Sequence, residues 1–66
     1  MEIVVNGQPR EIAPGGTVGS LLRVLALPPA RVAVERNREI VRKPDYESTP
    51  LAAGDRLEIV TFVGGG

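Results

Sequence analysis

The chain has 66 residues, in which eight basic and eight acidic side chains balance and Cys, His and Trp do not occur. A domain of this size buries only about 60% of its unfolded surface, which leaves one thin core and no enclosed cavity for a self-contained enzyme. The composition excludes disulfides, thiol or imidazole catalysis and Cys/His zinc sites, and the neutral charge with few aromatic residues argues against nucleic-acid binding.

The sequence carries no signal for a membrane. No apolar run approaches the roughly 20 residues that span a bilayer, and the first five residues read as a strand rather than as a signal peptide. We therefore expect a cytoplasmic protein.

The N-terminal segment predicts a β-hairpin. Residues 2–5 alternate as a strand, and Asn6-Gly7 is the dipeptide that a type I′ turn favours, since both central positions need positive φ. The return strand is expected at about residues 8–12, with Ile12 facing the core. Pro9 cannot donate to a ladder, so this strand belongs at an edge or a bulge.

An amphipathic helix is expected next. Thr17 is a suitable N-cap, but the absence of Glu or Gln at Ser20 predicts that no reciprocal capping box forms. Leu27-Pro28-Pro29 is expected to end the helix, because neither proline can continue it. The core-facing stripe at helical spacing is Val18, Leu21, Leu22 and Leu25.

The second half of the chain predicts three further strands. A strand at residues 32–35 with Val32 and Val34 inward precedes a turn at Asn37, which tolerates a left-handed conformation. The elements expected after it are a short strand at residues 39–42, a single helical or 3₁₀ turn at 43–46, an apolar anchor at Leu51 and a last strand at 56–63.

The last strand is apolar on part of both faces. Leu57, Ile59, Thr61 and Val63 share one face, whereas the other face carries Arg56, Glu58, Val60 and Phe62. Apolar residues on both faces are typical of a central strand. Two interpretations stay open for Val60 and Phe62: burial in a core, or exposure to a binding partner.

The predicted fold class is α+β: a mixed sheet of four to five strands packed on one α-helix, with the first and last strands as the central pair. Residues 1–63 form this domain, and residues 64–66 form a flexible glycine tail. A terminal glycine run is most often a frayed end. Three glycines nevertheless reach about 10 Å when extended and can enter a channel too narrow for a side chain. No group of residues in the sequence supports catalysis or metal binding.

The whole chain resembles a known family. The combination of Val34-Glu35-Arg36-Asn37, Ile40-Val41, the Gly54–Val60 segment and Phe62-Val63-Gly64-Gly65-Gly66 is similar to the sulfur carriers of thiamin biosynthesis, the ThiS family. Many relatives have Ala at the position of Gly64. The resemblance implies the β-grasp fold of ubiquitin-like proteins, which agrees with the predicted element order.

The resemblance also implies a chemistry for the tail, in which the protein is a co-substrate and not an enzyme. A ThiF-type adenylating enzyme would use MgATP to activate the Gly66 carboxylate, and sulfur from a cysteine desulfurase-derived donor would convert it to a thiocarboxylate. Thiazole synthase (ThiG) would then take the sulfur. Gly64 and Gly65 would give access to the partner channels, and Val60, Phe62 and Val63 would contact the partner.

Three other functions remain open from the sequence. The chain could be a β-grasp sulfur carrier for molybdopterin synthesis or tRNA thiolation, a ubiquitin-like modifier joined to lysines, or an interaction module without terminal chemistry. The molybdopterin synthase subunit is typically longer and often has Pro before its final residues, whereas this chain has Phe62-Val63. That difference favours the thiamin pathway.

Overall fold

A computed structural model describes residues 1–62, which form a five-stranded mixed sheet with an α-helix packed against it. The strands are β1 (Glu2–Val5), β2 (Gln8–Glu11), β3 (Val32–Arg36), β4 (Glu39–Val41) and β5 (Arg56–Thr61). Within the same residues, helix α1 spans Val18–Val24, and 3₁₀ turns span Pro29–Arg31 and Lys43–Asp45.

The sheet has the order β2-β1-β5-β3-β4. Strands β1 and β5 are parallel, whereas β1 pairs with β2, and β3 with both β4 and β5, in antiparallel fashion. The last strand is therefore central and the first strand lies beside it, as the sequence predicts. The α+β class and the β-grasp arrangement are confirmed.

Both hairpin turns use residues in the left-handed region. Asn6 and Gly7 have φ of 50° and 80°, and Asn37 and Arg38 have φ of 53° and 70°. The first turn confirms the type I′ prediction, and Pro9 lies on the edge strand β2, where a missing N–H is harmless. In the second turn Arg38 adopts the left-handed conformation together with Asn37, although Arg has no special tolerance for it.

The helix begins as predicted at the Thr17 cap, whose Oγ1 accepts a hydrogen bond from the Ser20 N–H at 3.2 Å. The prediction that a capping box is missing is wrong. The Ser20 hydroxyl lies 2.8 Å from the Thr17 N–H and accepts its hydrogen bond. The serine hydroxyl thus takes the place of the usual Glu carboxylate or Gln amide oxygen as the acceptor for the Thr17 N–H.

The helix ends at Val24, before the two prolines that were predicted to end it. Ala26 has φ of 58°, and the Leu27 N–H donates to the Leu22 carbonyl at 2.9 Å. The Ala26 N–H donates to the Arg23 carbonyl at 3.1 Å, which completes a Schellman motif. Alanine occupies the left-handed position that glycine usually fills.

The core lies between the helix and the inner face of the sheet. Its fully buried side chains include the predicted helical stripe except Leu25, which is half-buried, and both inward valines of β3. Tyr46 joins the core, and its hydroxyl donates to the Val32 carbonyl at 3.2 Å. The buried apolar residues are Ile3, Val18, Leu21, Leu22, Val32, Val34, Tyr46, Leu51, Leu57 and Ile59.

Residues 63–66 lie outside the described part of the chain, so the predicted boundary between residues 1–63 and 64–66 stays a prediction. In the described part, no helix is long and apolar enough to cross a bilayer.

Candidate functional site

The candidate site has two parts, the glycine tail and the sheet surface from which it continues. Val63, Gly64, Gly65 and Gly66 lie outside the described residues, and their roles stay predictions. The described chain reaches Phe62, whose N–H donates to the Arg31 carbonyl at 2.8 Å. The backbone is therefore tied to the rest of the sheet up to residue 62.

Alternate side chains of β5 point to opposite faces of the sheet. Leu57 and Ile59 are buried beneath the helix, whereas Val60 is 58% exposed and Phe62 is 50% exposed. Of the two open interpretations, exposure is the correct one for both residues. Their contact with a partner is not tested by this geometry.

The outer face is apolar at Val60 and Phe62 and charged towards the start of β5. Val60 lies opposite Ala33, whereas Ile40 on β4, which is 78% exposed on the same face, lies opposite Glu35. Towards the start of β5, Glu58 lies directly opposite Glu35. Like charges that face each other across two strands destabilise a sheet, and Arg38 and Arg56 line the same surface beside this pair.

The start of β5 is fixed by a buried carboxylate. Asp55 is 6% exposed and accepts hydrogen bonds from the Arg36 Nε at 2.7 Å, the Asn37 side-chain amide at 3.1 Å and the Ala52 N–H at 2.8 Å. Burial disfavours the charged form of Asp55 and would raise its pKa. The hydrogen bonds from Ala52, Arg36 and Asn37 outweigh burial and hold the pKa of Asp55 below its usual range.

In the sequence, Asp55 is noted only as part of the Gly54–Val60 segment of the family resemblance, and its buried network is not predicted. A signal was available in the combination of an acidic residue that immediately precedes a central strand and an Asn in a distant turn. The Asn37 side chain also accepts a hydrogen bond from the Arg56 N–H at 2.9 Å, so it links the β3–β4 turn to β5. The network positions the strand that leads to the tail.

A second amide holds the middle of β5. The Asn6 side chain donates to the Ile59 carbonyl at 3.1 Å and accepts from the Ile59 N–H at 2.7 Å. It therefore satisfies both backbone groups of Ile59 at the point where strand β1 has already turned away. Asn6 thus has two functions, the left-handed turn and the anchoring of β5.

Comparison with known proteins assigns this architecture to a family. The model of the ThiS family matches residues 3–66. A sulfur carrier protein ThiS from Bacillus subtilis is 47% identical over 51 residues, which are 77% of each chain. The crystal structure of a thiamine biosynthesis protein (ThiS) from Geobacter metallireducens superposes with a TM-score of 0.84, at 35% identity over the whole of both chains.

A longer relative is also similar. A thiazole synthase from Paramagnetospirillum magneticum is 47% identical over 66 residues, which are all of this chain and 20% of that protein. The chain therefore spans a fifth of the length of this curated relative.

Proposed function

The chain belongs to the ThiS family, and from this premise we propose that it is a sulfur carrier whose Gly66 carboxylate becomes a thiocarboxylate that supplies sulfur to the thiazole of thiamin. The observation that carries this proposal is the family match, which extends through the glycine tail to residue 66. The proposal requires a free carboxylate at Gly66, because the chemistry takes place at that carboxyl carbon.

The carboxylate must be activated before sulfur can enter. A terminal carboxyl has a pKa of about 3.5, so at neutral pH it is an anion and resists attack by a nucleophile. In the proposed step, a Gly66 oxygen attacks the α-phosphorus of MgATP on a ThiF-type adenylating enzyme. Pyrophosphate leaves, and the product is a Gly66 acyl-adenylate.

Sulfur then displaces AMP. A sulfur nucleophile at the oxidation level of sulfide attacks the carbonyl carbon, AMP leaves with the bridging oxygen, and the thiocarboxylate remains. When the donor is a persulfide from a cysteine desulfurase, the first product is an acyl disulfide, and an external thiol must supply two electrons to release the thiocarboxylate. Thiazole synthase then takes this sulfur, and an oxygen from water or from the sulfur acceptor replaces it on the Gly66 carbonyl carbon, which restores the carboxylate.

The fold contributes a rigid platform for the tail. The buried network at Asp55 and the Asn6–Ile59 hydrogen bonds hold β5 at two points, and the Phe62 N–H is bonded to Arg31. Gly64 and Gly65 have no side chains and would pass into the partner channels. Val60, Phe62 and Val63 would contact the partner body and limit how far the tail enters.

The similarity to a thiazole synthase supports the thiamin pathway over molybdopterin synthesis or tRNA thiolation. A thiamin auxotroph that lacks its own carrier tests the function. The chain should restore growth without thiazole, and a variant extended by one residue past Gly66 should not. Growth with the extended variant would contradict chemistry at the Gly66 carboxyl group.

The same cells separate the carrier from a protein modifier. An activated carboxyl that is attacked by lysine amines would give covalent adducts of high mass, which an immunoblot detects. The proposal predicts thiazole formation without such adducts.

A further inference from the structure

A groove lies on the helix side of the sheet, beside the end of β5. Its floor and one wall are formed by Val5, Leu25, Leu27, Ile59 and Thr61. The β1–β2 hairpin forms the other wall, with Asn6 and Gln8 at its tip and Arg10 further along β2. The groove therefore combines an apolar floor with a cationic rim at Arg10. It is bordered by Thr61, the last residue of β5.

The sheet edge above this groove is incomplete. The β1–β5 ladder pairs Val4 with Arg56 and Val5 with Leu57, and the Asn6 side chain extends it to Ile59. The chain then turns at Gly7 and pairs back along β1 as β2. Beyond Ile59, strand β5 therefore has no ladder partner on its β1 side within residues 1–62.

The register shows that Thr61 points its backbone groups to this open side. In an antiparallel ladder, successive residues direct their N–H and C=O groups to opposite neighbours. Phe62 donates to Arg31 on the β3 side, and Arg56 accepts from Asn37 on that side. The even-numbered residues of β5 thus bond to β3, and Thr61 directs its N–H and C=O towards the vacant side.

We propose that an extended segment of thiazole synthase adds beside Thr61 as a short strand. This inference rests on the proposed function. Side chains along an added strand alternate between its two faces. One apolar side chain would enter the groove over Leu25 and Leu27, and a carboxylate further along the segment, on the side of β2, would pair with Arg10.

Three observations select this occupant. Open backbone groups above an apolar groove fit an extended peptide, in which main-chain hydrogen bonds give affinity and pockets give specificity. Arg10 forms no ion pair among residues 1–62, whereas the carboxylate of its neighbour Glu11 lies 2.6 Å from the Met1 amino group. Thiazole synthase is selected because a relative of that name contains a segment similar to this whole chain.

The test is an amide-to-ester replacement in the chemically synthesised chain. An ester at Thr61 removes the N–H that the added strand would use. Binding to purified thiazole synthase from the same host should weaken by about fivefold, as expected for one lost hydrogen bond. The matched control is an ester at Phe62, whose N–H is bonded to Arg31. That ester should lower the midpoint of thermal unfolding more than the Thr61 ester does.

A charge reversal tests the rim of the groove independently. Arg10→Glu should weaken binding to thiazole synthase by about tenfold. Arg42→Glu, next to the opposite edge strand β4, should change it less than twofold. Wild-type affinity of both the Thr61 ester and Arg10→Glu would overturn the proposal. It would also be overturned if only binding to the adenylating enzyme weakened, or if sedimentation showed a dimer of this chain that the ester disrupts.

Failure of the groove proposal is distinguishable from failure of the proposed function. If the groove variants form the Gly66 thiocarboxylate and bind thiazole synthase as the wild type does, the carrier function stands and the groove proposal is wrong. If no variant forms a thiocarboxylate but the groove variants bind more weakly, the strand addition stands and the sulfur chemistry is wrong.

Discussion

Phe62 is the residue at which binding and folding can be separated most clearly. Its side chain is 50% exposed, and its backbone N–H bond to the Arg31 carbonyl does not depend on the side chain. The substitution Phe62→Ala therefore removes an exposed aromatic surface and leaves the strand pairing intact. Such a surface is of little use to the fold but is typical of the anchor residues of an interface.

The expected loss of folding free energy and the expected loss of binding free energy differ enough to be distinguished. Complete burial of a large apolar side chain contributes about 1.5–3 kcal/mol, so a half-exposed Phe62 contributes roughly 1 kcal/mol to the free energy of unfolding. Truncation of an interface anchor costs about 2 kcal/mol or more, which is an increase in Kd of roughly 30-fold.

Urea unfolding followed by circular dichroism gives the free energy of unfolding, and calorimetric titration with the proposed ThiF-type adenylating enzyme gives the Kd. Val24→Ala is the control, since Val24 is 70% exposed on the helix, away from the outer sheet face. It should change neither quantity appreciably. A loss of about 3 kcal/mol or more in Phe62→Ala would identify a core residue, and an unchanged Kd would refute its contact with this enzyme.

Three further substitutions test the Asp55 network, the C-terminal end of the helix and the register of β3 with β5. Because the pKa of Asp55 is lowered, its ionisation stabilises the fold above the ordinary value of 3.8, and this stability is lost as the pH falls through the folded-state pKa. Asp55→Asn should therefore unfold more easily in urea at pH 7, by about 2 kcal/mol, and show a smaller loss between pH 5 and pH 2. Ala26→Gly should raise the free energy of unfolding by about 1 kcal/mol, because Ala26 has φ of 58°, and the control Ala13→Gly should not raise it. Glu58→Lys should raise the free energy of unfolding by about 0.5 kcal/mol, because the lysine would form an attractive pair with Glu35. An equal or lower free energy of unfolding would contradict the assigned register.

Local signals in the sequence were sufficient for most of the fold. The Asn6-Gly7 turn depends on positive φ at two adjacent residues, and the apolar stripe of the helix depends only on residue spacing. Both can therefore be predicted without knowledge of tertiary contacts. Pro9 likewise predicts an edge strand or a bulge, because proline has no N–H to donate, and it lies on the edge strand β2.

The errors have equally specific causes. The helix ends at Val24, before the prolines, because Ala26 adopts a left-handed conformation. Alanine rarely adopts this conformation, so the residue type does not predict it. Ser20 completes the capping box with a hydroxyl that the usual Glu or Gln pattern omits. In the Asp55 network, Arg36 is 19 positions and Asn37 is 18 positions from Asp55 along the chain, and the periodicity within one helix or strand does not predict such contacts.

The candidate site was less accessible than the fold. The exposure of Val60 and Phe62 depends on whether a second layer covers the outer face, and alternation along one strand contains no such information. The proposed chemistry at Gly66 rests on the resemblance to a family. A glycine run by itself predicts no reaction, because it carries no catalytic side chain.

The central claim is the conversion of the Gly66 carboxylate to a thiocarboxylate, and the intact mass of the protein from its native host tests it most directly. Exchange of oxygen for sulfur and oxidation of the single methionine, Met1, give nearly the same nominal mass. Alkylation with iodoacetamide under mild conditions resolves the two, because the chain has no Cys and a thiocarboxylate sulfur is nucleophilic. We predict one alkylated species that is absent when Gly66 is deleted. Protein that is never alkylated, although it was isolated from cells with active thiazole synthesis, would contradict the sulfur-carrier account.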